Sequence, residues 1–175
     1  GKAKIIYAKN NNQVIATYKN DATAFNNLKK GSIKNKGAIN NSISSYLFQI
    51  LNHCDIPTHF IKKIDKKSQL LKKVDIIPIE VLVRNLFAGS LSKKFGIKEG
   101  TPLSDTLIEY CLKSDELGDP HISSEHILNL GLCDFDELEL IDEYSLRIND
   151  VLRSTFFSIG INLIDFKLEF GICKK

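Results

Sequence analysis

The chain has no methionine among its 175 residues, begins with Gly1, and contains only three arginines, Arg84, Arg147 and Arg153. With glycine first and methionine absent, the start is expected not to be the translational one. Its ten glycines are scattered so that no GxG and no GxxxxGK[ST] occurs, which removes the usual cues for a dinucleotide fold and for a Walker loop. No GxSxG is present to suggest a hydrolase nucleophile, and no HRD or DFG to suggest a protein kinase. The four cysteines, Cys54, Cys111, Cys133 and Cys173, form no CxxC pair, and of the four histidines His121 and His126 are the nearest in sequence. Zinc ligation needs tighter pairing, so structural thiols in a reducing cytosol are expected. No apolar run is long enough to span a bilayer, because Gly37 to Cys54 is interrupted by Asn40, Asn41, Ser42, Ser44, Ser45, Gln49 and Asn52. No signal peptide opens the chain, so a cytoplasmic location without membrane partners is expected.

What is present describes a globular protein. Hydrophobic residues make up 43% and charged residues 26%, a balance that can bury a core without disulfides. The net charge of +3 comes from lysine interspersed with 21 acidic residues. Such a distribution lacks the clustered Arg/Lys face of a nucleic-acid binder, and no nucleic-acid partner is expected.

Periodicity divides the chain into a strand-rich first part and a mixed second part. Lys4 to Ala8 and Val14 to Tyr18 flank Asn10-Asn11-Asn12 and predict a hairpin. Ile39, Ile43, Leu47, Ile50, Leu51 and Cys54 have helical spacing and predict one core-facing stripe. Strands are expected at His59 to Ile64, Gln69 to Val74 and Ile76 to Arg84, then a short helix from Leu91 to Phe95 stopped by Gly96. A further strand is expected at Leu107 to Lys113, and a short helix capped by Ser123 or Ser124 and ending near Gly131. The longest helix is placed at Asp136 to Ile159, with an apolar stripe of Leu138, Ile141, Leu146, Ile148, Val151, Leu152, Phe156 and Ile159. The last strand is placed at Leu163 to Phe170.

Three segments carry chemistry. In the last strand, alternation places Phe166, Leu168 and Phe170 on one face and Asp165, Lys167 and Glu169 on the other. Such a row fits a solvated outer face; it also fits a site for a hard cation and a phosphate. In Ile77 to Arg84, Ile77, Ile79, Val81 and Val83 share one face, while Glu80 and Arg84 share the other, about 13 Å apart along a strand. Arginine grips planar anions with a fork that lysine lacks; a plain salt bridge is the alternative for Arg84. Ala88-Gly89-Ser90 opens the short helix with a hydroxyl and free N–H groups. At the start, Gly1-Lys2-Ala3-Lys4 puts two lysines on one side of a strand beside a glycine.

Together, Gly1-Lys2-Ala3-Lys4, the run Ile77-Pro78-Ile79-Glu80 through Arg84 to Ala88-Gly89-Ser90-Leu91, and Leu163 to Gly171 resemble the SAICAR synthetase family. The resemblance extends over the whole chain through Lys36-Gly37, Gly96-Ile97, Lys113 to Asp115, Asp119-Pro120 and Asn149 to Leu152. It implies an α+β, two-lobe fold broadly similar to ATP-grasp proteins and kinases: an antiparallel, β-rich, ATP-binding lobe at 1–75 and a larger mixed α/β substrate- and metal-binding lobe at 76–175. The implied activity joins the carboxylate of an aminoimidazole ribonucleotide, CAIR, to the amine of L-aspartate, using ATP and Mg²⁺ and releasing ADP and phosphate.

The resemblance also implies roles for particular residues. Lys2 and Lys4, with Gly1 and Ala3, neutralise ATP phosphates. The Ile76 to Glu80 stretch meets adenine, with Glu80 taking ribose hydroxyls. Arg84 grips the CAIR carboxylate and Ser90 helps hold the ribonucleotide. Lys167 faces the transferred phosphoryl group, and Glu169 ligates Mg²⁺ with Asp165 next to it. Lys113 and Asp119 are further substrate-pocket candidates. Family members continue into a C-terminal segment with another acidic metal ligand, so a longer parent enzyme is expected, and a homodimer is the family's expectation. The alternatives are another ATP-dependent phosphotransferase of related fold and a non-catalytic nucleotide-binding remnant.

Overall fold

A computed structural model describes residues 3–24 and 29–173, which fall into two compact units. One runs to Asp75 and takes in Cys173; the other is Ile76–Ile172. All strand pairs with a recorded register are antiparallel, and the fold class is α+β.

The first unit is built on a four-stranded sheet. Strands β1 (Lys4–Asn10) and β2 (Gln13–Tyr18) form the expected hairpin, pairing Lys4 with Tyr18 and Ala8 with Val14. Its turn is closed by the Asn12 N–H donating to Asn10 Oδ1 at 3.0 Å, a local bond that asparagine makes readily. A second hairpin, β3 (Asp21–Ala24) with β4 (Lys29–Ser32), follows, and the sequence did not announce it. After helix α1 (Lys36–His53) come β5 (Phe60–Lys63) and β6 (Ser68–Lys72), giving the sheet order β1-β2-β6-β5. Ala16, Phe60 and Leu71 centre its core, with Val14 and Phe48 packed against them.

Helix α1 turns a different face inward from the one its isoleucines suggest. Ile39 and Ile43 are 55% and 52% exposed, whereas Gly37, Asn41, Ser45 and Leu51 are buried. The cause is a polar cluster. Gln69 on β6 is 1% exposed; its Oε1 accepts from Ser45 Oγ at 3.1 Å and its Nε2 donates to Tyr18 Oη at 3.1 Å. Asn41 Nδ2 donates to the Asp65 carbonyl at 3.0 Å. Buried amides demand partners, and the polar stripe of α1 supplies them.

The second unit is a sheet covered on one face. Strands β7 (Asp75–Leu86), β8 (Pro102–Leu112), β9 (His121–Ile122) and β10 (Asp165–Ile172) lie in the order β10-β7-β8-β9. Helix α2 (Gly89–Phe95) follows β7 and ends at Gly96 in the left-handed conformation, as expected. Helix α3 (Ser124–Asn129) is capped by Ser123, and α4 (Phe135–Phe157) by Asp134 with Glu137 in a capping box. Ile77, Ile79, Val81 and Val83 of β7 are buried with Ile127, Cys133, Leu138 and Ile141, and Phe166, Leu168 and Phe170 of β10 pack on the same cluster.

Helix α4 buries Leu138, Ile141, Ile148 and Leu152 of its predicted stripe and departs from it elsewhere. Leu146 and Ile159 are 44% and 67% exposed, and Ser145 and Asn149 are buried in their place. Asn149 and Asn85 exchange two side-chain hydrogen bonds, at 2.9 and 3.0 Å, and Asn149 Nδ2 also donates to Thr106 Oγ1 at 3.1 Å. Strand β8 begins at Pro102, five residues before the expected start, and β9 is too short to leave a periodic signal. Among the described residues no helix is long and apolar enough to cross a membrane.

Candidate active site

Because one face of the second sheet packs on the core, alternation sends Glu80 and Arg84 of β7, Glu109 of β8 and Asp165, Lys167 and Glu169 of β10 to the other. The central strand of the three, β7, contributes Glu80 and Arg84, and both are buried, at 7% and 5% exposure. A buried charge persists only when paired, and each has its partners on the flanking segments.

Arg84 is a buried cation between anions. Its Nε donates to Glu109 Oε2 on β8 at 2.6 Å, its Nη1 to Asp165 Oδ2 on β10 at 3.3 Å, and its Nη2 to Ser90 Oγ at the start of α2 at 3.3 Å. Glu80 is the inverse. Its Oε2 accepts from Lys167 Nζ on β10 at 2.6 Å, and its Oε1 lies 3.7 Å from Lys113 Nζ, just past the end of β8. Lys113 also donates to Glu169 Oε1 at 3.0 Å. That bond, with the charges of Glu169, Glu80 and Asp119, raises the lysine pKa above its ordinary value and outweighs the opposing desolvation. Cys111, paired with Glu80 across the strands, is a buried thiol pushed up by burial and by Glu80 and Glu109, and so stays neutral. None of the four cysteines is in a disulfide.

The sheet and its flanking segments thus bring together seven of the expected site residues: Glu80, Arg84, Ser90, Lys113, Asp165, Lys167 and, at the end of the row, Glu169. Asp165 does not sit beside Glu169. The two carboxylates stand four residues apart, about 13 Å along a strand, and pair with different cations. The Gly89 N–H at the start of α2 is not free either, since it donates to Glu99 Oε1 at 3.0 Å. Asp119 has a left-handed backbone, and its Oδ1 accepts from the Ser114 N–H at 3.0 Å, closing the turn after Lys113. Ile76 is 48% exposed at the first position of the second unit.

In the first unit, the Ala3 carbonyl accepts from the Lys19 N–H at 2.8 Å, and Lys4 is exposed with its Nζ 5.8 Å from the centre of the Tyr18 ring. Gly1 and Lys2 lie outside the described residues.

Glu109 is the site residue that sequence reasoning missed. Its signal is a carboxylate at the alternating position between Leu107 and Cys111, the one charge in the run Leu107 to Leu112. Among the described residues no cluster of three or more His, Cys, Asp or Glu could enclose a metal ion. The acidic row is therefore not a closed metal cage. One or two carboxylates completed by substrate phosphates is, however, the usual setting for Mg²⁺, and the exposed Glu169 suits it.

Known proteins resemble this chain throughout. Phosphoribosylaminoimidazole-succinocarboxamide synthase from Clostridium kluyveri is 52% identical over 98% of the chain and 73% of that protein. The crystal structure of the synthase of that name from Ehrlichia chaffeensis superposes with a TM-score of 0.94 at 50% identity, covering 98% of this chain and 73% of that one. A SAICAR synthetase solved in complex with ADP has a TM-score of 0.94 at 40% identity, with the same coverage. The sequence model described as SAICAR synthetase matches residues 1–175, and the chain belongs to that family.

Proposed function

We propose that the charged face of β7, β8 and β10 is where this ligase brings its carboxylate substrate to the ATP phosphates. The chain is an ATP-dependent C–N ligase of purine biosynthesis that joins CAIR and L-aspartate, the reaction of its family. What needs assignment is which residues do the work. A carboxylate is a poor electrophile. In the reaction proposed, one of its oxygens attacks the terminal phosphorus of ATP, ADP leaves, and the aspartate amine then displaces phosphate from the acyl phosphate. Such chemistry asks the protein for positioning and for cations where negative charge gathers.

The observation that carries the assignment is the inverse pairing of two buried charges on one strand, Arg84 between carboxylates and Glu80 between lysines. Arg84 grips the CAIR carboxylate, and Ser90, already bonded to Arg84, helps hold the ribonucleotide. Lys167, whose side chain is 50% exposed, faces the transferred phosphoryl group, and Lys113 borders the pocket with Asp119 behind it. Glu80 acts as the counter-ion of both lysines rather than as an acceptor for ribose hydroxyls, because each of its oxygens faces an ammonium. Lys2 and Lys4, with Gly1 and Ala3, neutralise ATP phosphates, and the backbone from Ile76 meets adenine. Glu169 would hold Mg²⁺, which when bound supplies positive charge to the phosphates. Asp165 belongs with Arg84.

The enzyme is further proposed to be cytoplasmic and homodimeric, with no nucleic-acid or membrane partner; a net charge of +3 without arginine clusters supports the last point. The test of the site is ADP release in the presence of ATP, Mg²⁺, CAIR and L-aspartate. Release should depend on both CAIR and aspartate, and Arg84→Ala should abolish the dependence on CAIR. CAIR-dependent release that survives in Arg84→Ala would remove Arg84 from the site. Size-exclusion chromatography with light scattering tests the dimer.

A further inference from the structure

Arg84 carries five N–H donors. Three are engaged, one each by Glu109, Asp165 and Ser90. The two carboxylates on it are not equivalent. Glu109 is held at 2.6 Å with 15% of its side chain exposed, whereas Asp165 is at 3.3 Å with 42% exposed. The surroundings sharpen the difference. Glu109 lies within β8, whose residue Leu107 pairs with Arg84 itself, and its second oxygen is 3.9 Å from Nδ1 of His121 on β9. Asp165 is the first residue of β10, where the ladder begins.

A guanidinium is planar, so a short, charge-assisted bond to Nε from a buried carboxylate fixes its plane and leaves the Nη edge to face other ligands. We infer that Glu109 is a positioning residue of the ligase: it is the permanent counter-ion that orients Arg84, so that the Nη edge meets the carboxylate of the aminoimidazole ribonucleotide, and Asp165 is the exchangeable counter-ion that yields to that carboxylate. This rests on the assignment of Arg84 to the substrate carboxylate. Charge counting supports the exchange. Arg84 with Glu109 and Asp165 carries one net negative charge; swapping Asp165 for the substrate carboxylate leaves that count unchanged, whereas adding the substrate on top would raise it by one against mutual repulsion. Loss of Glu109 would instead leave Asp165 as the only anion on Arg84, drawing the fork out of alignment.

The test is steady-state kinetics of the enzyme with Glu109→Ala and Glu109→Gln, measuring KM separately for CAIR, ATP and L-aspartate. In Glu109→Ala the KM for CAIR should rise by about 100-fold, the order of loss that misplacement of a positioning group causes, while the other two stay within about threefold. Glu109→Gln keeps an acceptor for the Nε–H without the charge, so its CAIR KM should fall between, with a rise of about tenfold. If the alanine variant does not fold, the glutamine variant decides alone. An unchanged KM for CAIR, or an equal rise for all three substrates, overturns the inference, the latter because it marks general loosening. Arg84→Lys separates the two layers. If it leaves the CAIR KM unchanged, the assignment of Arg84 fails; if it raises that KM while the Glu109 variants do not, only the role of Glu109 fails.

Discussion

Lys167 and Glu80 stand 87 residues apart in the chain and meet at 2.6 Å, the lysine half exposed and the carboxylate nearly buried. The asymmetry sets the direction of dependence. Lys167 can reach solvent without Glu80, but among the described residues Glu80 has the ammonium groups of Lys167 and Lys113 to offset its burial. Glu80→Gln should therefore keep the fold and lower the unfolding free energy by about 1–3 kcal/mol, the range for a hydrogen bond to a charged group. Urea unfolding measures it, and an unchanged midpoint would mean that the two lysines do not hold this carboxylate.

Arg84→Lys should cost more than a conservative exchange usually does. One ammonium cannot reproduce three bonds that leave a planar group in three directions, so at least one of Glu109, Asp165 and Ser90 loses its partner. A loss of about 2 kcal/mol is expected, read from the same denaturation curves, together with a weakened response to CAIR.

How much of this is legible in the sequence depends on whether local alternation decides the outcome. In Asp165 to Phe170 and Ile77 to Arg84 it does, because an apolar face packed on α3 and α4 leaves the charged residues only the opposite face. The pairing among those charges is not legible. Arg84 and Glu109 are 25 residues apart, and the β7–β8 register that joins them depends on a loop and helix between. Helices α1 and α4 follow their apolar stripes only in part, Leu51 in one and Leu138, Ile141, Ile148 and Leu152 in the other being buried, for another reason. Apolar spacing picks out Ile39, Ile43 and Leu146, but Gln69, buried, and Asn85, half-buried, lie on the facing strands and take Ser45 and Asn149 as partners. Hydrogen-bond demand from the sheet thus replaces part of each helix's hydrophobic stripe with polar side chains.

Glu169→Ala should remove Mg²⁺-dependent turnover and leave stability unchanged. Glu169 and Lys113 are 42% and 40% exposed, and such pairs contribute about 0–1 kcal/mol at most. With the carboxylate gone, the largest influence raising the Lys113 pKa is gone too, so that lysine should titrate lower than in the parent. ADP release against Mg²⁺ concentration, beside a thermal melt, checks both halves. Near-normal turnover at saturating Mg²⁺ would exclude Glu169 as the metal ligand.

Gly37→Ala reverses a familiar rule. In an exposed helix the change is stabilising by about 1 kcal/mol. Here a Cβ would stand 2.6 Å from the Tyr18 carbonyl oxygen and 3.0 Å from that of Lys19. Neither is a flexible side-chain end, so backbone must move. The variant should lose about 1–3 kcal/mol, the range for overpacking, visible as a lower melting temperature. A gain would show that α1 and the end of β2 separate easily.

His59 gives the first unit a pH dependence with a definite sign. Burial is the main cause, and the charges of Lys4 and Lys72 add to it, lowering the imidazole pKa from 6.5 to about 4. Its ring packs edge-on against Phe48, with centroids 4.9 Å apart, where a proton would be poorly solvated. The folded state therefore refuses a proton that the unfolded chain accepts below its ordinary pKa. Stability contributed by the neutral ring is fully present above about pH 6.5, declines as pH falls through the interval, and has gone once pH passes below about 4. At about 1.4 kcal/mol per pKa unit the whole effect is at most about 3.5 kcal/mol. Urea midpoints measured between those two pH values should fall with acid in the parent and fall less steeply in His59→Gln, which has no proton to take up. Equal slopes in the two proteins would show that the acid sensitivity of the fold resides elsewhere.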